Sequence, residues 1–383
     1  MPLIQARLHP DLSAAGSSPA RVARRWLLGA LVALAVLLPL ALLAAEPPVR
    51  LTLNENPFGP SPLVVPAVQG DLANLYRYTG DEAAALTAQI AAKEGVAPEQ
   101  IVLGDLLEAL GQHFSIRGGP GGEFIYSVPG YPALVDAAAR VGGVVVAVPL
   151  DAALENDLPA IAARVNARTR AVFLVNPHNP SGTASDAAKF HAFLSTVSRQ
   201  ALVVVDEAYL EFSDDYAGRT AVAHTRAGEN VLVYRTFAKA YGLAALSLGY
   251  AVAPRPVADF LRQQGLGGAR ELNRLALTAA SASLRDADYL GRVHDAVAAE
   301  RAKWHAVLDQ LGLRHTDSRA NFVYFDAGRP HAEVAAALKS AGILVGRAFP
   351  PYDRWIRITI GLPEENARAQ AALRQALGRP GPS

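Results

Sequence analysis

Short stretches of uninterrupted apolar residues, spaced by longer patterned segments, constrain this chain more than any other feature. Ala171-Val172-Phe173-Leu174-Val175 and Leu202-Val203-Val204-Val205 contain no polar residue. A strand with one wet face would alternate; a run like these suits a strand covered on both faces. Residues 124–128, 144–148, 231–234 and 248–253 continue the series, with a helix expected over residues 131–141. Strands separated by helices predict an α/β fold with a mainly parallel sheet. After residue 253 the pattern changes to a long helix over 286–311, a strand over 321–325 and a helix over 332–341. Strands over 343–345 and 356–360 and a closing helix from about Glu364 follow. This reads as a smaller α+β lobe, and 383 residues suffice for two lobes. The expected division is a large domain over residues 73–270 and a small one over 271–383. Residues 46–72 would pack with the small domain. No internal repeat is visible.

The amino terminus reads differently. Arg21, Arg24 and Arg25 precede an uncharged stretch over residues 26–45, which ends in Ala44-Ala45 before Glu46. A basic region, an apolar region and small residues at the end make a secretory signal. Arg24-Arg25-Trp26-Leu27-Leu28 resembles a twin-arginine signal. The apolar stretch is also long enough to span a bilayer, so an uncleaved anchor is the alternative. Either way residues 1–45 stand outside the fold, and the protein is expected to be exported, periplasmic or membrane-anchored through them.

Composition removes several function classes. There is no cysteine, which excludes disulfides, thiol nucleophiles and thiolate metal sites. The histidines are dispersed without a metal-binding spacing, so no metal is expected. Thirty-six basic residues against 35 acidic ones leave no electrostatic footprint for nucleic acid.

Three segments carry chemistry, each following an apolar run. In Tyr234-Arg235-Thr236-Phe237-Ala238-Lys239-Ala240-Tyr241-Gly242 a lysine sits in a turn of small residues just past a strand. There it reaches the carboxyl edge of a parallel sheet, where open α/β sheets bind ligands. A desolvated lysine can lose its proton and bond to an aldehyde, although most lysines are solvated surface groups. Asn176-Pro177-His178-Asn179-Pro180-Ser181-Gly182-Thr183 and Asp206-Glu207-Ala208-Tyr209 put polar groups at two further strand ends. A pyridoxal cofactor needs an acid beside its ring nitrogen and donors for its phenolate oxygen. Asp206 fits the first need, and Asn179 with Tyr209 the second. Taken singly, Asn179-Pro180 is also a turn and Asp206 a helix cap. The three together, in this order, are harder to read as structural.

With Leu53-Asn54-Glu55-Asn56-Pro57-Phe58-Gly59-Pro60 and Arg357-Ile358-Thr359-Ile360-Gly361, these segments resemble the class I/II aminotransferases of fold type I. The likeness is to the histidinol-phosphate aminotransferase branch and runs from Leu51 to the last helix. It implies pyridoxal 5'-phosphate as cofactor and Lys239 as the lysine that bonds to it and shuttles the substrate proton. Asp206 would pair with the pyridine nitrogen, and Asn179 and Tyr209 would hold the phenolate oxygen. Tyr131 would stack on the ring, and Tyr78 would reach the cofactor phosphate of a neighbouring subunit in a homodimer. Arg357 would grip the substrate carboxylate and Arg347 would stand at a distal phosphate. Asn56 either lines the substrate entrance or caps the turn after it.

The chain departs from the family where the cofactor phosphate binds. Leu103-Gly104-Asp105-Leu106-Leu107-Glu108 is shorter than the family's helix-start segment. Ala238 replaces a serine, and Ser247 stands where the family carries an arginine. Thr236, Ser247, Tyr78 and the backbone near Gly104 are the candidates to compensate. The expected activity is a transaminase moving an amino group between an amino acid, or an amino-alcohol phosphate, and a 2-oxo acid. The alternatives are a decarboxylase or lyase of the same fold, and an exported binding protein without turnover.

Overall fold

In the computed structural model, which describes residues 47–379, the apolar runs become the middle of a seven-stranded sheet. In chain order the strands are β1 (Val49–Leu51), β2 (Ile101–Leu103), β3 (Glu123–Val128) and β4 (Val144–Pro149). Then come β5 (Thr169–Val175), β6 (Leu202–Asp206), β7 (Val231–Thr236) and β8 (Gly249–Val252). The last three are β9 (Phe322–Asp326), β10 (Ile343–Val345) and β11 (Trp355–Thr359). The large sheet runs β2-β8-β7-β6-β5-β3-β4. Its neighbours are parallel from β7 to β4, while β8 lies antiparallel to both β7 and β2.

Every residue of β6 is buried, and alternate side chains enter opposite cores. Val203 and Val205 join Val172, Leu174, Val231 and Val233 on one face. Val204 joins Phe173, Val175 and Leu232 on the other. A strand packed this way cannot slip by one residue without exchanging its whole set of partners. That lock fixes the row in which Val175 pairs with Asp206 and Asp206 with Tyr234.

The next residues on β6 and β7 face the other way and meet a buried ion network. Arg235, 1% exposed, donates from Nη2 to Glu207 Oε2 at 2.7 Å and from Nη1 to Glu94 Oε1 at 2.9 Å. Tyr250 and Thr220 hydroxyls complete the shell on the two carboxylates.

Outside the large sheet, β1 pairs in parallel with β10, and β11 pairs antiparallel with β9. The first pairing ties the start of the described chain to its last third. From Val49 onward the chain forms one compact unit. The expected elements recur with ends moved by a residue or two: the long helix is Ala287–Gln310 and the closing helix Pro363–Ala376. The helix expected over 131–141 is shorter, Ala133–Ala139, because Pro132 precedes it and Gly142-Gly143 follow. Two three-residue strands, β1 and β2, have no counterpart in the sequence reading. The proposed signal or anchor lies outside the described residues. Among those described, no helix is long and apolar enough to cross a membrane.

The ion network generates a stability prediction. Replacing Arg235 by Ala strands Glu207 as a buried charge and leaves Glu94 only Lys93, at 3.3 Å, as a cationic partner, and about 3–5 kcal/mol of stability should be lost. Urea denaturation measures it; a loss below about 1 kcal/mol would mean the two carboxylates find other partners.

Candidate active site

The lysine loop begins where β7 ends. Ala238 N–H donates to Thr236 Oγ1 at 3.0 Å, which turns the chain, and Gly242 N–H closes the turn on Lys239 O at 2.9 Å. Gly242 has φ 70°, and a Cβ there would come within 2.2 Å of Gly59 O, so only glycine fits. Lys239 is half-buried, and its Nζ donates to Leu53 O at 2.8 Å. Burial pushes its pKa down to about 8, and the Arg357 charge adds to that. Asp206 and Glu55 pull the other way.

Asp206 closes the opposite wall. It is 3% exposed, and the one hydrogen bond its carboxyl accepts among the described residues is from Ala208 N–H, at 3.0 Å. Burial pushes its pKa up to about 7, opposed by that N–H and by the Lys239 charge. Tyr209 is buried against the edge of Phe322, with ring centroids 5.2 Å apart. Its hydroxyl accepts from Asn54 Nδ2 at 3.1 Å and from Asn179 Nδ2 at 3.4 Å. Asn179 turns its carbonyl oxygen to Arg357, whose Nη1 donates to it at 2.6 Å.

Arg357 stands on β11, and its Nη2 donates to Thr52 O at 2.8 Å. Its Nε is buried without a partner, and among the described residues it makes no ion pair. Burial lowers its pKa, and the nearby Arg347 charge lowers it further, against Tyr209. Both guanidinium groups lie over the ring of Phe349, Arg347 at 4.3 Å and Arg357 at 5.0 Å from its centre.

These groups line one cleft of about 660 Å³, together with Tyr131, Thr236 and Glu55. Burial pushes the Tyr131 hydroxyl up to about 12, with the Asp206 charge adding to it. Of the residues singled out from sequence, eight meet here: Lys239, Asp206, Tyr209, Asn179, Tyr131, Thr236, Arg357 and Arg347. Three do not. Tyr78 is 83% exposed and outside the cleft of its own subunit. Ser247 adopts φ 42° and lines a neighbouring cavity of about 380 Å³. Asn56 takes the turn-stabilising role of the two considered. Its side chain accepts from Phe58 N–H and donates to Gly59 O and Ala240 O, holding the lysine loop from behind.

Asn54 is the residue the sequence reading missed. It is 1% exposed with φ 56°, and its Oδ1 accepts from Thr359 Oγ1 while its Nδ2 serves Tyr209. The signal was its place two residues before Asn56 in a segment full of turn formers. Asp105 and Tyr234 also line the cleft, with the Tyr234 hydroxyl donating to Asp105 Oδ1 at 3.1 Å.

The lining fits pyridoxal phosphate. A buried carboxyl with one backbone donor suits a protonated pyridine nitrogen. A lysine of lowered pKa suits an aldehyde, and a paired tyrosine and asparagine suit a phenolate oxygen. The sequence profile described as "Aminotransferase class I and II" matches residues 46–373, and the chain belongs to that family. It is a pyridoxal-phosphate-dependent transaminase. Histidinol-phosphate aminotransferase 2 of Pseudomonas fluorescens is 37% identical over 337 residues, 86% of this chain and 89% of that protein. The histidinol-phosphate aminotransferase of Jannaschia sp. is 37% identical over 334 residues, 85% of this chain and 90% of its own. Among solved structures, histidinol-phosphate aminotransferase from Sinorhizobium meliloti in complex with pyridoxal-5'-phosphate superposes with a TM-score of 0.77. It is 29% identical over 87% of this chain and 91% of that one. None of these relatives points to a decarboxylase, a lyase or an inactive binding protein.

The lowered lysine pKa is testable. Only the neutral amine attacks an aldehyde, so the rate at which apoprotein captures pyridoxal phosphate should rise with pH through a midpoint near 8. Arg357→Ala removes a positive charge that lowers this pKa, so it should move the midpoint upward. Stopped-flow absorbance reads both; a wild-type midpoint near the ordinary lysine value would contradict the assignment.

Proposed function

We propose that the amino donor carries a phosphate or a second carboxylate, gripped between Arg357 and Arg347, and that a 2-oxo acid takes the amino group. The observation that carries this reading is the pair of guanidinium groups on one Phe349 ring, neither with a carboxylate partner among the described residues. Two like charges side by side raise the energy of the empty site, and one oxyanion between them relieves it. A phosphate monoester dianion matches two guanidinium groups in charge. Histidinol phosphate, the substrate in the names of the relatives, is such a donor. The carboxylate of the 2-oxo acid would use Arg357 in the return half of the cycle.

Within this reading each side chain has one task. Arg357 fixes the oxyanion and so turns the carbon bearing the amino group toward Lys239. Asn179, held by Arg357 on one side and donating to Tyr209 on the other, transmits that position to the phenolate donors. Lys239, neutral above about pH 8, takes the α-proton and later returns one. Asp206 would hold the cofactor's pyridine nitrogen in its protonated form, and its own raised pKa would let it share that proton. The cofactor, when bound, supplies the sink for the electron pair that the departing proton leaves behind.

The substrate class is tested through Arg347. Its replacement by Ala should raise KM for histidinol phosphate by about ten- to a hundredfold, the value of one charge-assisted contact. KM for a donor with a single carboxylate, such as alanine, should stay within about twofold. Equal losses for both donors, or none for the phosphate donor, would remove Arg347 from substrate selection.

A further inference from the structure

The cofactor's phosphate meets an unusual surface. On a pyridoxal ring the aldehyde carbon lies between the phenolate and phosphate-bearing positions. With Tyr209 and Asn179 at the phenolate, the phosphate would lie on the other side of Lys239. The lining left for it is Asp105, Leu107, Thr236, Ala238 and Ala245.

Among the described residues no cation stands there. The basic side chains of the cleft are Lys239, Arg347 and Arg357. The two arginines share Phe349 at the substrate end, and Lys239 is committed to the aldehyde. The charged group in that lining is instead the carboxylate of Asp105, which keeps the Tyr234 hydroxyl as its donor. Neutral donors remain: the Thr236 hydroxyl, and the free backbone N–H groups opening helix Leu107–Gly118, which has no side-chain cap. Behind Asp105 and Ala245, which border both spaces, lies the cavity of about 380 Å³ that Ser247 lines. Among the described residues its only charged lining groups are Asp105 and Glu271, so it supplies room for a long cationic side chain but no cation.

We propose that this transaminase holds the cofactor phosphate without a cationic side chain, so that the bond to Lys239 carries retention and the amine form of the cofactor exchanges with solution. The inference rests on the transaminase reading. Its consequence belongs to every turnover, because the amine form has no aldehyde for Lys239 to bond. An enzyme built this way draws on free cofactor as it works, and can be loaded directly with pyridoxamine phosphate.

The test compares pyridoxamine phosphate with pyridoxamine, which lacks only the phosphate, by quenching of tryptophan fluorescence on the full protein. In the wild type the phosphate should improve affinity by less than about tenfold. Ser247→Arg should add about ten- to a hundredfold for pyridoxamine phosphate, the value of one charge-assisted contact, and nothing for pyridoxamine. Because Ser247 has positive φ, Ala245→Lys offers a second route for a cation into the same space. A wild-type preference for pyridoxamine phosphate above about tenfold overturns the inference, as does indifference of both variants. Arg77→Ala, in the exposed segment before Tyr78, detects a cation lent by a second copy; a tenfold loss there also overturns it. Wild type that never bonds pyridoxal phosphate at Lys239 would remove the transaminase reading and this inference together. Covalent bonding alongside tight pyridoxamine phosphate binding would remove this inference alone.

Discussion

Asp206 is an acid placed where its strand has already excluded water. Four apolar residues precede it on β6, its neighbours across the sheet are Val175 and Tyr234, and its carboxyl accepts one hydrogen bond among the described residues, from a backbone N–H. A carboxylate cannot stay charged there at little cost without a cationic partner, and the nearest lysine is itself short of water. The acid is therefore held near neutral pKa and the base is held low. A ligand with a protonated ring nitrogen and an aldehyde answers both deficits at once. The rest of the cleft is arranged around that demand.

The sheet makes the arrangement possible by separating its two faces. Asp206 and Tyr234 open into the cleft, whereas Glu207 and Arg235, one residue further along the same strands, are paired and saturated on the opposite face. Satisfied charges behind the strands anchor the ends that carry unsatisfied ones in front. The substrate end repeats the logic with opposite sign: Arg357 is buried, its Nε has no acceptor, and Arg347 stands beside it on Phe349.

Much of this is legible in the sequence, and for identifiable reasons. Strands buried on both faces cannot hide in a sequence, so β5 to β7 and the residues at their carboxyl ends were found. Lys239, Asp206, Tyr209 and Asn179 all belong to that group. What escaped depended on backbone turns that have no period. Asn54 and Asn56 sit two apart and would share a face in an extended strand. The positive φ at Asn54 breaks that parity, sending one side chain to Tyr209 and the other to the back of the lysine loop. Ser247 was displaced in the same way by its left-handed conformation, which puts it on the neighbouring cavity. Tyr78 lies exposed, outside its own cleft.

The most direct test of the whole account is to reduce pyridoxal-phosphate-loaded protein with borohydride and map the labelled peptide. The account predicts a visible-edge absorbance band that reduction abolishes, with the label on Lys239 alone and lost in Lys239→Ala. A folded protein that shows no such band, or carries the label on surface lysines in proportion to their exposure, would contradict it.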